Sequence, residues 1–346
     1  MKFTPISHKG EINLIKQLTQ SFSAKNPSTC FTFGDDAAVL SYGKQDLILT
    51  TDTLTENVHF NLIYTPLKHL GYKAIVSSLS DVYAMNGCPK QVLVSIAVPN
   101  KYSVEMLQEI YTGINLACKN YNVDLIGGDT TASPQSLVIN VTTIGLAQKN
   151  KIVYRNGAQP NDLLVVSGDL GGAYLGLQIL EREKYIFQQN NQSQPSLEKY
   201  TAILERQLKP EARRDVIKEL KELQIKPSAM IDISDGLGSE VNHLSQSSNI
   251  GFKVFEEKVP ISQTSIETAS ELNISPLYCA LHGGEDYELL FTVPLKWHKE
   301  ISGMENVTII GHSTEKSKGV ELLTQDNEIV DLNGGGWDPF TKKSHI

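Results

Sequence analysis

The sequence predicts a mixed α/β protein built in two domains. Three observations carry that expectation. The chain has 346 residues, more than one ordinary hydrophobic core organises. Stretches with helical spacing of apolar residues interleave with short alternating runs along its whole length. A short apolar run leading into an acid beside glycine or hydroxyl residues recurs in both halves. Acids so placed sit where the loops of open α/β sheets gather functional groups.

Ile12, Ile15, Leu18 and Phe22 give a first amphipathic helix over about 11–23. Phe31-Thr32-Phe33 then leads into the turn Gly34-Asp35-Asp36 and the short apolar run after it. Leu47-Ile48-Leu49 predicts a buried strand ending at Thr50, so that Asp52 stands at the strand end between the hydroxyls of Thr50, Thr51 and Thr53. A long helix is expected over about Leu67–Met85, with Ile75, Leu79 and Val82 on its core face and Asp81 beside Ser80; Gly87-Cys88-Pro89 stops it. Val92, Val94, Ile96 and Val98 alternate as a strand. Ser103 is placed to cap a helix reaching Tyr121. Val123 to Ile126 reads as a strand running into the turn Gly127-Gly128-Asp129-Thr130-Thr131, and Leu137 to Thr143 alternate again.

The polar turns between Gly145 and Pro160 mark a domain boundary, giving domains 1–148 and 149–346. Leu163 to Val166 form a buried strand. The turn Ser167-Gly168-Asp169-Leu170-Gly171-Gly172 after it matches neither a Walker A loop nor a Rossmann fingerprint, and it reads as tight strand-to-helix packing. The Gln/Asn-rich segment 184–196 is expected to be an exposed loop or insertion. A helical region with Leu208, Val216, Leu220 and Leu223 is interrupted at Pro210. Ala229-Met230-Ile231 is a strand ending in Asp232-Ile233-Ser234-Asp235-Gly236, and Leu237, Val241 and Leu244 continue as a helix. Gly283-Gly284-Glu285-Asp286 precedes a strand marked by Tyr287, Leu289, Phe291 and Val293. Gly334-Gly335-Gly336-Trp337 places an indole in a glycine-rich tail, as a packing anchor or a stacking surface.

The bulk numbers narrow the function. A net charge of −8 and a pI near 5.5 argue against a nucleic-acid binder, which needs a basic face. Cys30, Cys88, Cys118 and Cys279 include no Cys-x-x-Cys pair, and a reduced cytoplasmic setting is expected. Met1 to Leu18 lacks the apolar core of a signal peptide, and no apolar run approaches the ~20 residues that span a bilayer.

Asp36, Asp52, Asp81, Asp129, Asp232 and Asp235 stand out, and four of the five stretches that carry them combine a strand end, a glycine or hydroxyl, and an acid. Taken singly, each is also what a solvated or capped turn looks like or, for Asp81, a water-facing acid within a helix. If they converge, cations must accompany them, because two unit charges 4 Å apart repel by about 4 kcal/mol at an effective dielectric of 20. Oxygen donors without a His or Cys cluster suit Mg²⁺ over zinc. Carboxylate-bound Mg²⁺ most often serves a phosphate substrate.

Taken together in this order, Gly34-Asp35-Asp36-Ala37-Ala38, Thr51-Asp52-Thr53 through Val58-His59-Phe60, Leu79-Ser80-Asp81, Gly127-Gly128-Asp129-Thr130, Asp232 through Leu237 and Gly283 through Glu288 resemble thiamine-monophosphate kinase. The similarity covers nearly the whole chain, within the superfamily typified by aminoimidazole ribonucleotide synthetase. It implies an α+β N-terminal domain that pairs its mixed sheet across a homodimer, and a C-terminal α/β domain. The implied reaction is transfer of the γ-phosphoryl group of ATP to thiamine monophosphate, giving thiamine diphosphate. Neither nucleic acid nor membrane is implied as a partner. By motif, Asp36, Thr50, Thr51, Asp52, Asp81, Asp129, Asp232 and Asp235 would bind several Mg²⁺ ions. Tyr111, Gly128, Asp129, Arg155 and Ser234 would contact ATP, and His59, Glu285 and Trp337 the substrate. The family's tail motif usually ends in His-Phe, whereas this chain reads Trp337-Asp338-Pro339-Phe340. The acceptor is already a phosphate, so no obligatory general base is expected.

Other enzymes of that superfamily are the alternatives, with a non-catalytic Mg²⁺-nucleotide-binding protein as a third class. A selenophosphate synthetase needs a reactive Cys or selenocysteine in a glycine-rich N-terminal setting, which Cys30 lacks. Hydrogenase-maturation proteins carry a C-terminal Cys, whereas this sequence reads Ser344-His345-Ile346 at its end.

Overall fold

A computed structural model describes residues 11–21, 24–189 and 197–332. Helix α1 spans Glu11–Thr19, shorter than expected, and Phe22 lies outside the described residues. The first sheet takes strands β1 (Thr29–Phe31), β2 (Ala38–Tyr42), β3 (Gln45–Thr55), β4 (Cys88–Pro99), β5 (Asp124–Ser133) and β6 (Val138–Gln148), in the order β1-β2-β3-β6-β4-β5. It is mixed: β4 and β5 run parallel, the other pairs antiparallel. Helices α2 (Leu67–Ala84) and α3 (Val104–Tyr121) cover one face. They cross backbone to backbone, since a Cβ on Gly71 would stand 1.9 Å from the Ile110 carbonyl oxygen and one on Gly113 1.8 Å from that of Lys68. Ser103 caps α3 by accepting from the Met106 N–H at 3.3 Å.

The second sheet has seven strands: β7 (Leu163–Ser167), β8 (Ala229–Asp232), β9 (Gly251–Phe255), β10 (Leu289–Val293), β11 (Val307–Thr314), β12 (Val320–Leu323) and β13 (Ile329–Asp331). Their order is β13-β12-β9-β11-β7-β10-β8. Helices α4 (Gly172–Gln189), α5 (Thr201–Leu208), α6 (Arg214–Glu222), α7 (Leu237–Ser248), α8 (Gln263–Glu271) and α9 (Pro276–His282) lie between these strands in sequence. β7 is buried on both faces, which is why it reads as an unbroken apolar run. Leu163 and Val165 join a core that continues through α2 into the first sheet. Leu164 and Val166 join a second core under Leu237, Val241 and Leu244 of α7.

Several expectations are corrected. β3 does not end at Thr50; its β-branched threonines continue it to Thr55, paired throughout with β6. Asp52 is therefore inside a strand. Gly127 to Thr131 is likewise strand and not turn, held parallel to β4. Residues 184–189, expected in a loop, are the end of α4, and 190–196 lie outside the described residues. β10 starts at Leu289 and not Tyr287, because Tyr287 has φ +52° and Glu285 φ +68°, values a strand cannot hold. The tail from 333 onward, with Trp337, lies outside the described residues.

Gly128 has φ +154°, and a Cβ there would stand 1.8 Å from the Val94 carbonyl oxygen. Gly128→Ala is therefore expected to destabilise the β4–β5 edge by about 1–3 kcal/mol, the usual range for overpacking. Thermal denaturation checks it, as a lowered Tm in that variant.

Candidate active site

Three segments far apart in sequence meet where the two sheets face α2. The turn before β2 brings Asp36, α2 brings Asp81, and β8 ends in Asp232. One carboxylate oxygen from each lies within 4.8 Å of the others. Asp36 and Asp232 are buried. At this separation each pair of full charges repels by at least about 3 kcal/mol at an effective dielectric of 20.

The cluster is braced from outside. Arg155 donates to Asp36 Oδ1 through Nη2 at 2.6 Å and Nε at 3.2 Å, and its backbone N–H reaches Asp35 Oδ2 at 2.9 Å. Ser80 donates to Asp232 Oδ2 at 2.7 Å. Thr50 donates its hydroxyl to Asp81. Asp52 lies on the same strand face as Thr50, two residues along β3. Among the described residues, Asp36 Oδ2 and Asp52 Oδ2 are buried and accept no hydrogen bond. Buried acceptors of that kind ask for a ligand.

The protonation behaviour reflects the crowding. Burial, then the charges of Asp52, Asp232 and Asp36, push Asp81 well above the ordinary carboxyl range. Burial and Asp36 push Asp232 up to about 8. Burial, only partly offset by a hydrogen bond from Ser78, pushes Asp52 up to about 6. A cation among these oxygens would remove both penalties at once.

The turn after β8 carries the next groups. Asp235 donates its backbone N–H to Glu240 Oε1 at 3.0 Å, and the Ser234 carbonyl accepts the Glu285 N–H at 2.7 Å. Glu285 is thus stitched to the rim of the cluster. His59 is half-buried, and burial lowers its pKa, with the Glu285 charge opposing. Its Nδ1 accepts the Thr55 N–H at 3.0 Å, so a neutral ring carries its proton on Nε2.

The remaining expected residues stand elsewhere. Thr51 faces the opposite side of β3 from Thr50 and Asp52, bonding Thr142 at 3.1 Å and Asn140 at 3.2 Å. Tyr111, Gly128 and Asp129 line a cavity of about 530 Å³ along β5. Asp129 pairs with Ser95, Ser95 with Asn140, and Asn140 with Thr53. Three strand spacings, about 14 Å, therefore separate Asp129 from β3. The glycine-rich turn before α4 binds an internal carboxyl group: Asp286 accepts the N–H groups of Gly171 at 2.8 Å and Ala173 at 3.3 Å. That supports the packing role read from its sequence.

Sequence reasoning missed Asp35, Lys73, Ser78, Asn140, Gln207 and Glu240. Lys73 carried a signal, being the lone charge in the apolar stretch Leu70 to Val76. Glu240 bonds the Asp235 N–H five residues back, a local contact, whereas the partners of Ser78, Asn140 and Gln207 are brought near only by the fold. Because Arg155 grips Asp36 with two guanidinium nitrogens, Arg155→Lys loses that fork. It is expected to lower kcat/KM for ATP on the order of 10²-fold through misplacement of the acid. Steady-state kinetics at saturating acceptor checks this.

Comparison with known proteins follows the same lines. The family model described as AIR synthase related protein, N-terminal domain, matches residues 34–147. The thiamine-monophosphate kinase of Bacillus subtilis (strain 168) is 34% identical over 337 residues, covering 95% of this chain and 99% of that one. The thiamine-monophosphate kinase of Aquifex aeolicus (strain VF5) is 34% identical over 332 residues, covering 96% and 98%. A solved complex of AaThiL with AMPPCP and TMP superposes with a TM-score of 0.84 at 32% identity, covering 98% of this chain and 99% of that one.

Proposed function

The chain belongs to the thiamine-monophosphate kinase family, and we propose that it phosphorylates thiamine monophosphate with ATP, giving thiamine diphosphate and ADP. This is the last step of thiamine diphosphate synthesis. The observation that carries the reading is the meeting of Asp36, Asp81 and Asp232 within 4.8 Å, beside buried carboxylate oxygens with no donor among the described residues. Such an all-oxygen set suits Mg²⁺, which Asp36, Thr50, Asp52, Asp81, Asp232 and Asp235 would hold; the other two expected ligands stand apart from it, Thr51 on the opposite side of β3 and Asp129 about 14 Å from that strand. When bound, the metal neutralises charge on the phosphates.

The protein's own task is alignment. Tyr111, Gly128, Asp129, Arg155 and Ser234 hold ATP, while His59, Glu285 and Trp337 hold the thiamine phosphate. The acceptor oxygen belongs to a phosphate and needs no base, so His59, neutral near pH 7, binds and does not abstract a proton. Transfer is direct and in line, with no phosphorylated protein group between donor and acceptor.

The chain acts as a homodimer in the cytoplasm, divided into domains 1–148 and 149–346. In support of the dimer, β5 is exposed along nearly its whole length, and Leu47, Leu49, Leu93, Ile144 and Leu146 on the open face of the first sheet are only half-buried. An exposed sheet edge and apolar face ask for a cover. Among the described residues no helix is long and apolar enough to cross a membrane. A coupled ADP-release assay tests the reaction. ADP release that depends on thiamine monophosphate supports it; release indifferent to that acceptor refutes it.

A further inference from the structure

We propose that Lys73 is a positioning residue that sets recognition of the thiamine moiety through Glu285. The inference rests on the reading that thiamine monophosphate binds beside Glu285.

Glu285 belongs to the C-terminal half, in the loop after α9. Left-handed backbone at Glu285 and Tyr287 lets the loop double back, and their N–H groups donate to Ser234 O at 2.7 Å and Ile233 O at 2.9 Å. The backbone beneath the carboxylate is thus fixed to the turn that carries Asp232 and Asp235. The side chain is fixed as well. Lys73 Nζ lies 2.8 Å from Glu285 Oε1, and Gln207 Nε2 donates to Oε2 at 2.7 Å. Lys73 Nζ also donates to the Gln207 carbonyl at 3.1 Å. The three residues close a ring across α2, α5 and the loop.

Exposure assigns the roles within it. The Lys73 side chain is 3% exposed and that of Glu285 25%. A ligand arriving from solvent meets the carboxylate and cannot meet the ammonium. A lysine buried in this way gives up its hydration and is a costly means of stability alone, since apolar packing does as well. Here it fixes direction. With one acceptor site of each oxygen taken, the remaining lone pairs point where the ring sets them. An aminopyrimidine offers an amino donor to a carboxylate so aimed. Pairing with Lys73 also offsets the glutamate's charge, so that it selects a hydrogen-bond donor over a bare cation.

Helix α2 then works as a spacer. Lys73 and Asp81 are eight residues apart on it, about 12 Å along the axis. One end holds the group that reads the ligand, and the other supplies an acid to the site of transfer.

Steady-state kinetics of Lys73→Met, Glu285→Gln and the double variant tests this, with thiamine monophosphate and oxythiamine monophosphate, which lacks the amino donor, as acceptors. Lys73→Met is expected to raise KM for thiamine monophosphate about tenfold, leave kcat and KM for ATP within about threefold, and narrow the preference over oxythiamine monophosphate. The double variant is expected to match Glu285→Gln alone, because the lysine acts only through the glutamate. Gln207→Leu frees the other oxygen, is expected to narrow the same preference, and decides the matter if Lys73→Met does not fold. A lower Tm with unchanged KM and preference, or additive effects in the double variant, would overturn the positioning role. Wild-type protein without acceptor-dependent ADP release would instead overturn the functional reading beneath it.

Discussion

Asp232→Asn is expected to lower kcat by on the order of 10²–10³-fold, the usual cost of losing one preorganised charge-stabilising group. The metal-free melting temperature at pH 8 should stay unchanged or rise. The amide oxygen can still accept the Ser80 hydroxyl that now donates to Asp232 at 2.7 Å. What disappears is a carboxyl forced up to about 8 by burial and by Asp36. The sign follows from linkage. The folded value lies above the ordinary carboxyl value near 3.9, so between pH 4 and 8 the metal-free folded state holds more protons than the unfolded one. Its contribution to stability is full at low pH and is lost as pH rises through about 8. Removing the charge relieves that loss. Kinetics with calorimetric melting in chelator separates this from simple damage. A variant with normal turnover, or one that melts well below wild type at pH 8 without metal, would contradict the role given to Asp232.

Mg²⁺ affinity is expected to rise steeply between pH 6 and 8, by about tenfold per pH unit where one proton is displaced. Asp52 is pushed up to about 6 and Asp232 to about 8, and Asp81 is shifted in the same direction. They lie too close to titrate independently, so the profile belongs to the cluster. A cation takes the place of those protons, and the competition fades once pH passes the highest of the shifted values. Isothermal titration of metal-free protein in buffers of different ionisation enthalpy measures both affinity and protons released. Flat affinity across the range, with no proton release, would mean that these acids are not the ligands.

The legible part of the site was its inventory. Asp52, Asp81 and Asp232 each sit beside hydroxyls and a short apolar run, a local pattern that needs no knowledge of the fold. What was not legible is which face each side chain takes. Thr50 and Thr51 look equivalent in sequence, yet strand alternation sends one to Asp81 and the other to Thr142. Asp52 and Asp129 seemed to end strands because glycine and threonine also make turns, and pairing with β6 and β4 overrode that local preference. The ring of Lys73, Gln207 and Glu285 joins residues 134 and 78 positions apart, and no local pattern encodes such a pairing. The long helices, by contrast, were readable because their caps and apolar spacing are local: α3 begins after the Ser103 cap as expected.

The central claim is that the acidic site moves one phosphoryl group from ATP directly onto thiamine monophosphate. Phosphorus NMR of the protein with ATP, Mg²⁺ and thiamine monophosphate measures it in one tube. The account expects ADP and thiamine diphosphate to grow at equal rates, with no inorganic phosphate. Inorganic phosphate growing in step with ADP, with the thiamine monophosphate signal unchanged, would contradict it.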